Sequence, residues 1–513
     1  MRALAVTLCL GGCWSPQFLP CTVQCGTQQS CPASLSCGDD HFCHVPDEPR
    51  CTSDGSIDQS ILLDGGPFDS AIGKDGAALD GGPGHTLWGL SFGGNYEDSA
   101  NGVAIDKNGN VVVVGAFQST VNFGGTPLQS AGGSDLFIAR YSSSGSHLWS
   151  KRFGGSLDES AESVAVDPIG GDVVVTGRFA SNFPFGATVL MNKGEDDIFL
   201  ARLDAQTGNV KWAKGFGSTG EEVGRGVAVN GNGKIALVGG LHNSGSVGFD
   251  GNSYPGFGQA DLFLTEYGLD GEYHFAHIYG TSKDDFATAV ALGPGFAMVT
   301  GLTAGIGDVA SAECSTCTAW VAKIGFDDDT TYGQVLRSAT FPHAIGRAIA
   351  VDYLGEPAFA GSFDDDLTLD QVYQHNGIDL FVAQLVDAPQ KSFSSVWAHA
   401  TGGNQIDRAL GLAVPSKGEL VVVGGISDWG DFTCGDVTAT AGDAFIARYA
   451  SDGACVWSRT SQGDSGTEEA RAVAVGPNGE LVVVGRFNMQ LHWAAPPLQT
   501  KGTNDAFVIK LAP

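Results

Sequence analysis

Alternating apolar and polar residues first become regular in the stretch from Asp98 to Phe117, DSANGVAIDKNGNVVVVGAF. The alternation and the β-branched residues predict two short strands, Gly102–Asp106 and Asn110–Gly115. The turn between them contains Asn108-Gly109, a pair that supplies the positive φ angles needed in a tight hairpin. This stretch therefore predicts a β-hairpin.

The same hairpin pattern returns six more times along the chain. One apolar position in its first strand serves as an anchor, and successive anchors lie 61, 63, 63, 59, 63 and 61 residues apart. The anchors are Val103, Val164, Val227, Val290, Ile349, Leu412 and Val473. A period this even is typical of a repeat architecture.

Each repeat contains two further strand-like runs. The third run begins with an aspartate and carries an aromatic residue, and its aspartates are Asp135, Asp197, Asp261, Asp379, Asp443 and Asp505. The fourth run carries Trp149, Trp212, Trp397 or Trp457, with Phe275 in the third repeat. Four short strands in each of seven repeats predict an all-β fold, a seven-bladed β-propeller of four-stranded antiparallel blades.

The two ends of the repeat region complement each other. The chain ends after a third-type strand, Asp505–Leu511, so the seventh repeat lacks a fourth strand. A fourth-type strand, Leu87–Phe92, stands before the first repeat. We therefore expect Leu87–Phe92 to complete the last blade and close the ring, which leaves no long open sheet edge.

The motifs GVAIDKNGNVVVVGAF and GGSDLFIARY resemble the bacterial SBBP-type β-propeller repeat, which is related in shape to NHL and YWTD propellers. The resemblance covers about residues 86–513, and the fourth and fifth repeats depart from it. It implies a propeller domain over 85–513 and a surface location. It implies no reaction, because propellers serve binding modules, scaffolds and enzymes alike.

Residues 1–12 have the pattern of an export signal, with Arg2 followed by the apolar run Ala3–Leu10. The sequence Leu10-Gly11-Gly12-Cys13 resembles a bacterial lipobox, which implies that Cys13 is lipidated and becomes the new N-terminus. The alternative is an ordinary secretory signal with a chance cysteine. Trp14 stands where an aspartate would favour inner-membrane retention, so we expect a lipid-anchored envelope protein of the outer membrane.

Residues 13–51 are small, polar and rich in cysteine. Six cysteines in an exported segment this short predict three disulfides of open connectivity, formed by Cys21, Cys25, Cys31, Cys37, Cys43 and Cys51. Zinc is the alternative, although the spacings are not paired C-x-x-C. The run CPASLSCGDDHFC resembles cysteine-rich segments of myxobacterial-type surface lipoproteins. Residues 52–84 are rich in Asp and Gly and predict a flexible linker.

An acidic residue lies five positions before six of the seven anchors, and the fifth repeat has Ala344 there. These residues are Asp98, Glu159, Glu222, Asp285, Asp407 and Glu468. One interpretation is an acidic rim around the propeller channel that attracts a cation, with calcium as a candidate cofactor. The alternative, which we favour, is that each carboxylate accepts backbone N–H bonds and orders its own loop. No other cofactor is indicated.

Other features have simpler interpretations. The third-run aspartates are expected to hold their turns, and the tryptophans to pack between blades. Cys314 and Cys317 form a C-x-x-C that favours a local disulfide, and Cys434 and Cys455 are a candidate pair in the sixth blade. The acidic runs 327–329 and 364–366 lack the spacing of a calcium loop and are read as solvated loops.

These patterns favour a binding module over an enzyme. Common catalytic and nucleotide-binding motifs are missing from the sequence. The net charge of −30 argues against nucleic acid as a partner. We expect a monomer that is attached to the membrane by its lipid and binds a protein, a glycan or a cationic ligand. The alternatives are a lyase or hydrolase of a surface polymer, with its site at the channel mouth, and a purely structural envelope component.

Overall fold

The computed structural model describes residues 36–37, 43–44, 83–242, 246–304, 318–326, 333–352, 354–415, 418–427, 434, 442–462 and 467–513. The chain divides into two units, 1–72 and 73–513. In the first unit, β1 (Ser36–Cys37) and β2 (Cys43–His44) form an antiparallel hairpin in which Cys37 and Cys43 are opposed. No helix within the described residues is long and apolar enough to cross a membrane.

The second unit begins with β3 (Thr86–Phe92). Sheet 1 follows with β4 (Ser99–Ile105), β5 (Val111–Val121), β6 (Leu128–Tyr141) and β7 (His147–Phe153). Sheet 2 has β8 (Glu159–Val166), β9 (Val173–Phe179), a separate hairpin of β10 (Phe183–Phe185) and β11 (Thr188–Leu190), then β12 (Asp197–Leu203) and β13 (Val210–Phe216). Sheet 3 has β14 (Glu221–Val229), β15 (Lys234–His242), a hairpin of β16 (Ser246–Phe249) and β17 (Asn252–Pro255), then β18 (Ala260–Gly268) and β19 (Tyr273–Tyr279).

Sheet 4 has β20 (Asp284–Gly293), β21 (Phe296–Ala304), β22 (Thr318–Gly325) and β23 (Val335–Pro342). Sheet 5 has β24 (Ala344–Val351), β25 (Pro357–Phe363), a hairpin of β26 (Leu367–Thr368) and β27 (Val372–Tyr373), then β28 (Asp379–Ala388), a 3₁₀ turn (Pro389–Lys391) and β29 (Ser392–Thr401). Sheet 6 has β30 (Arg408–Ala413), β31 (Leu420–Ile426), β32 (Asp443–Tyr449) and β33 (Cys455–Thr460). Sheet 7 has β34 (Glu468–Val475), β35 (Leu481–Phe487), a hairpin of β36 (Gln490–Leu491) and β37 (Leu498–Gln499), then β38 (Asp505–Leu511).

Each sheet is an antiparallel meander, and the described residues are all-β apart from the one 3₁₀ turn. Sheets 3 and 4 are joined by one parallel bridge, Ala260 to Asp284. The fourth strand of sheet 7 is β3, which pairs with β38 from Thr86–Leu511 to Phe92–Ala506. This is the pairing that the sequence predicts for the two ends of the repeat region.

The first hairpin shows why the repeat folds as it does. The Asp106 carboxylate accepts the backbone N–H groups of Asn108 at 2.8 Å and Asn110 at 3.0 Å, and Gly109 has a φ of +77°. Side chain and glycine together fix the turn between β4 and β5. The observed strands are longer than predicted, because β4 begins at Ser99 and β5 continues to pair with β6 beyond Gln118.

Hydrophobic cores lie between neighbouring sheets. Val112 and Val114 of sheet 1 pack with Val173 and Val175 of sheet 2, and similar clusters join each later sheet to the next. A further cluster joins sheet 7 to sheet 1 and includes Val111, Phe137, Val482, Val484 and Val508. Every described sheet therefore buries both of its faces against its neighbours.

The tryptophans of the outer strands contact the next sheet along the chain. The indole N–H of Trp149 donates to the carbonyl of Ala205 at 2.9 Å, and that of Trp212 donates to Leu269 at 2.8 Å. Trp397 makes the same contact with Ser451 at 3.1 Å. These side chains fasten one sheet to the next by packing and one hydrogen bond each, as the sequence predicts.

Candidate functional site

Each innermost strand contains one β-bulge, at the same position in every repeat. In β4, Ala100 pairs with Gly115 and Gly102 with Val114, so Asn101 is the extra residue. The register shifts in the other six innermost strands fall at the equivalent place. The extra residues are Asn101, Glu162, Arg225, Thr288, Arg347, Leu410 and Arg471. A bulge redirects the side chain that it carries.

A glycine in the second strand makes room for each bulge. A Cβ atom on Gly115 would lie 1.9 Å from the carbonyl oxygen of Ser99, and one on Gly361 would lie 1.8 Å from that of Ile345. The equivalent glycines are Gly177, Gly239, Gly301, Gly424 and Gly485, and each meets a carbonyl oxygen within 2.0 Å. No other residue fits these positions, which explains the glycine of the VVVVG motif.

All seven bulge residues line one cavity of about 290 Å³. A second cavity, of about 550 Å³, shares Asn101, Glu162, Arg225, Arg471 and Arg486 with the first. We call the two together the channel. It is bordered by at least one side chain from each of β4, β8, β14, β20, β24, β30 and β34. Together the two cavities offer a volume in the range of small-ligand sites.

The smaller cavity is rich in arginine. Its lining contains five arginines, Arg225, Arg347, Arg408, Arg471 and Arg486, and two glutamates, Glu162 and Glu469. The charge of this part of the channel is therefore positive, although the whole protein has a formal net charge of −30. Positive charge gathered in a cleft raises the local concentration of anions.

Glu469 organises part of this arginine cluster. Its Oε2 atom accepts hydrogen bonds from the Nε atom of Arg471 at 2.9 Å and lies 3.2 Å from the Nε atom of Arg486. Arg471 also donates from Nη1 to the Oδ1 atom of Asn101 at 2.8 Å. Burial opposes ionisation of Glu469, but Arg471, Arg486 and Arg408 outweigh it and lower the pKa of its carboxyl.

Arg347 is the most strongly perturbed arginine of the channel. Burial, opposed by the charge of Glu469 and assisted by that of Arg225, lowers the pKa of its guanidinium to about 10. Burial also lowers the pKa of Arg408 and of Arg486. All three remain protonated at neutral pH, at a cost that a bound anion would relieve.

The six predicted rim carboxylates lie where the innermost strands begin, either directly before the strand or at its first or second residue, and all are buried. Glu159 accepts the N–H of Gly155 at 2.7 Å and both the N–H and the hydroxyl of Ser181, at 3.1 Å and 2.6 Å. Asp98 accepts the N–H groups of Gly94 and Gln118, at 2.7 Å and 3.0 Å. Of the six rim carboxylates, Asp98 alone is among the described residues that line the channel.

The other rim carboxylates have similar partners. Glu222 accepts the N–H and hydroxyl of Ser218, Asp285 those of Thr281, and Glu468 the hydroxyl of Ser461. Asp407 accepts the N–H groups of Gly403 and Ser427, each at 2.8 Å. These hydrogen bonds are the ones expected if each carboxylate orders its own loop. Their donors point at the carboxylate oxygens that a cation would need as ligands.

The third-strand aspartates lie beside the rim carboxylates. Asp197 accepts the N–H of Lys193 at 2.9 Å, and burial raises its pKa to about 7, with a further contribution from the charge of Glu222. Burial, with a smaller contribution from the charge of Asp505, likewise raises the pKa of Asp98 to about 7. Carboxylates paired in this way resist ionising together.

The remaining predicted residues are placed as follows. Cys434 and Cys455 form a disulfide. Asp364 is half-buried, whereas Asp365 and Asp366 are exposed. The other predicted positions lie outside the described residues, namely Cys13, Cys21, Cys25, Cys31, Cys51, Cys314, Cys317 and the acidic run 327–329.

The channel arginines are absent from the sequence-based predictions. Arg225, Arg347 and Arg471 occupy one position of the repeat, two residues before the anchor, where the seven side chains differ in charge and size. Arg408 and Arg486 lie elsewhere in their repeats. The signal that could have found them is the glycine inside a β-branched run, because such a glycine marks a bulge. A bulge in an innermost strand would have pointed to position 101 and its equivalents.

No protein-family model matches the chain, and no curated protein matches it. Solved structures do show similarity. A polysaccharide lyase of family PL25, an ulvan lyase, aligns over 77% of this chain and 93% of its own with 11% identity and a TM-score of 0.43. Quinohemoprotein alcohol dehydrogenase from Comamonas testosteroni aligns over 83% and 76% with 10% identity and a TM-score of 0.38. Values this low give no basis for transferring an activity to this chain.

Proposed function

We propose that residues 85–513 form a closed seven-bladed β-propeller that acts as a binding module for an anionic ligand. Two observations support the ring: a hydrophobic core lies between sheet 7 and sheet 1, and one cavity is lined by all seven innermost strands. Pairing of β3 with β38 would close it. A closed propeller holds its inner strands rigidly, which suits a preformed site.

The observation that carries the ligand class is the five arginines against two glutamates in the smaller cavity. Guanidinium groups bind carboxylate and sulfate oxygens through paired, charge-assisted hydrogen bonds. Their burial makes the protonated state costly, and an anion offsets that cost. In the smaller cavity a cationic ligand would meet a positive potential, so the proposed ligand is an anion.

The ligand class that fits best is a glycan or protein bearing carboxylate or sulfate groups. The channel has room for a small anionic group or a sugar residue, and the larger part of such a ligand would remain outside. The proposed setting is the cell envelope, with the chain a monomer anchored to the outer membrane through a lipid on Cys13. The linker over 52–84 would then give the propeller its reach.

A binding module is preferred to a lyase or hydrolase. Arginines that could neutralise an acidic polymer do converge, but neither a histidine nor a tyrosine is found among the described residues lining the channel. Glu469 has a pKa lowered by its arginine neighbours, which makes it a weak base. A purely structural component would have no reason to gather arginines against their mutual repulsion.

Calorimetric titration of the full-length mature chain with citrate, a compact tricarboxylate, tests the proposal. We expect binding at one site, and a loss of affinity of at least tenfold in the double variant Arg347→Gln and Arg408→Gln, because each removes a positive charge while keeping a polar side chain. Arg337→Gln is the matched control. The Nε atom of Arg337 lies 2.8 Å from the Oδ2 atom of Asp387, and neither residue lines the channel. Equal citrate binding by the double variant, or none by the wild type, would rule the proposal out.

A further inference from the structure

Sheet 5 differs from the other sheets where its innermost strand begins. Ala344 stands in the place of the rim carboxylate, and the neighbouring loops contain His343, His375 and the run 364–366. Ala344 pairs with Phe363, and the N–H of Asp364 donates to the carbonyl of His343 at 3.0 Å. The start of β24 and the end of β25 therefore hold His343 beside the acidic run.

The hairpin β26–β27 brings the second histidine to the same place. Leu367 pairs with Tyr373, so the two ends of the hairpin are adjacent. Asp366 immediately precedes β26, and His375 follows β27 by two residues. Backbone pairing alone thus gathers three separate segments of the chain at one point on the surface.

The side chains at this point face one another. The Nδ1 atom of His375 lies 3.6 Å from Oδ1 of Asp366 and 3.9 Å from Oδ1 of Asp365. The Nδ1 atom of His343 lies 3.7 Å from Oδ2 of Asp365. Ligand atoms of Asp365, Asp366 and His375 all lie within 4.8 Å of one another.

These separations suit a shared ion better than direct hydrogen bonds. A nitrogen–oxygen separation of about 3.6 Å is too long for a hydrogen bond. Ligands bound tetrahedrally to zinc at about 2.0–2.1 Å lie roughly 3.4 Å from one another. Asp364 directly precedes this group in the chain, and its buried Oδ1 atom accepts no hydrogen bond from any residue in the described part of the chain.

We propose that Asp365, Asp366 and His375 bind a divalent transition-metal ion of the zinc type. Imidazole nitrogen together with carboxylate oxygen is a donor set for zinc, copper or nickel, whereas calcium takes oxygen ligands. The ion would fasten the two ends of the β26–β27 hairpin to each other. This site is separate from the channel and does not depend on the proposed function.

Titration of the full-length mature chain with zinc chloride at pH 7.5 tests this site. The cysteine-rich segment is a second candidate for zinc, so the decisive quantity is the difference between variants. We expect His375→Ala to bind one zinc ion fewer than the wild type, or to bind that ion at least tenfold more weakly. His492→Ala removes a histidine from sheet 7 and is the matched control, expected to bind zinc like the wild type.

Thermal unfolding gives the second measurement. Zinc bound only by the folded site should raise the melting temperature of the wild type and of His492→Ala, and raise that of His375→Ala less. If His375→Ala does not fold, the same measurement is made on Asp366→Asn, which keeps the shape of the side chain and should also show a smaller zinc-dependent rise in melting temperature. Zinc binding that is identical in the wild type and in both site variants would overturn the proposal, and so would an absence of zinc binding to the wild type.

Discussion

Two sets of equivalent positions on the innermost strands differ in regularity and in role. Five residues before the anchor, six of seven side chains are acidic, and all six are buried where the innermost strands begin. Two residues before the anchor, the side chains are Asn, Glu, Arg, Thr, Arg, Leu and Arg, and all seven line the channel. The regular set accepts hydrogen bonds from nearby loops, and the irregular set forms the candidate site.

The difference follows from what each position must do. A carboxylate that accepts backbone N–H groups does the same work in every repeat, so the same chemistry recurs. A side chain that faces a shared ligand need not resemble its equivalents, because the ligand has no sevenfold symmetry. In a repeat protein, a polar residue that recurs is thus more easily explained by folding than by binding.

The largest expected effect comes from breaking the regular set. Glu159→Ala would leave three donors without their acceptor, two of them on the buried Ser181 and one on the partly buried Gly155. We expect a loss of about 3–5 kcal/mol in the free energy of unfolding. Urea or thermal unfolding of the variant and of the wild type measures this loss in the free energy of unfolding.

Glu162→Ala is the matched control on the same strand. Glu162 lines the channel and lies 3.9 Å from Arg178, which keeps its contact with Asp196 when Glu162 is removed. We expect a change below about 1 kcal/mol. Equal destabilisation by the two variants would show that the two sets of positions do not differ in role.

The next effect is a dependence of stability on pH. The carboxyls of Asp98 and Asp197 have a pKa near 7 in the folded state, raised by burial from 3.8. The folded state therefore holds protons that the unfolded state releases, and this stabilisation is present below pH 4 and is lost as the pH rises through 7. We expect the free energy of unfolding to fall by on the order of 2 kcal/mol per carboxyl between pH 5 and pH 8.

Unfolding of Asp98→Asn at pH 5 and pH 8 checks this dependence. The amide does not titrate, so the decrease between the two pH values should be smaller than in the wild type. Asp204→Asn is the control, because a hydrogen bond from Thr207 lowers the pKa of Asp204 and this carboxyl stays ionised throughout the range. An unchanged decrease in Asp98→Asn would contradict the raised pKa.

The four-stranded sheets could be predicted because their signals are local. The turn at Asn108-Gly109 and the β-branched runs each act within a few residues, and the even spacing of the anchors shows that the same local signals recur in every repeat. The predicted first strand nevertheless began at Gly102, whereas β4 begins at Ser99. The polar Asn101 interrupts the alternation, and the sequence pattern places a strand end where the structure has a bulge.

The channel could not be predicted in the same way. A strand of period two places Asn101 and Val103 on one face, yet Asn101 lines the channel and Val103 lies in a hydrophobic core. The bulge that separates them is a property of pairing with β5 and of the space left by Gly115. The acidic positions were visible as a pattern, but their partners are backbone groups that a sequence does not display.

The smallest expected effect sharpens the role of the irregular set. Glu162 brings negative charge to a channel that we propose binds anions, and it lies 3.9 Å from the Arg178 guanidinium. Glu162→Gln removes that charge and keeps the shape, so citrate should bind about 3- to 10-fold more tightly, by roughly 0.7–1.4 kcal/mol. Calorimetric titration at fixed ionic strength measures the change, and Glu272→Gln, on an exposed turn, is the control. Weaker citrate binding by Glu162→Gln would instead make Glu162 a hydrogen-bond acceptor for the ligand, and the irregular set would then select its ligand by shape and hydrogen bonding more than by charge.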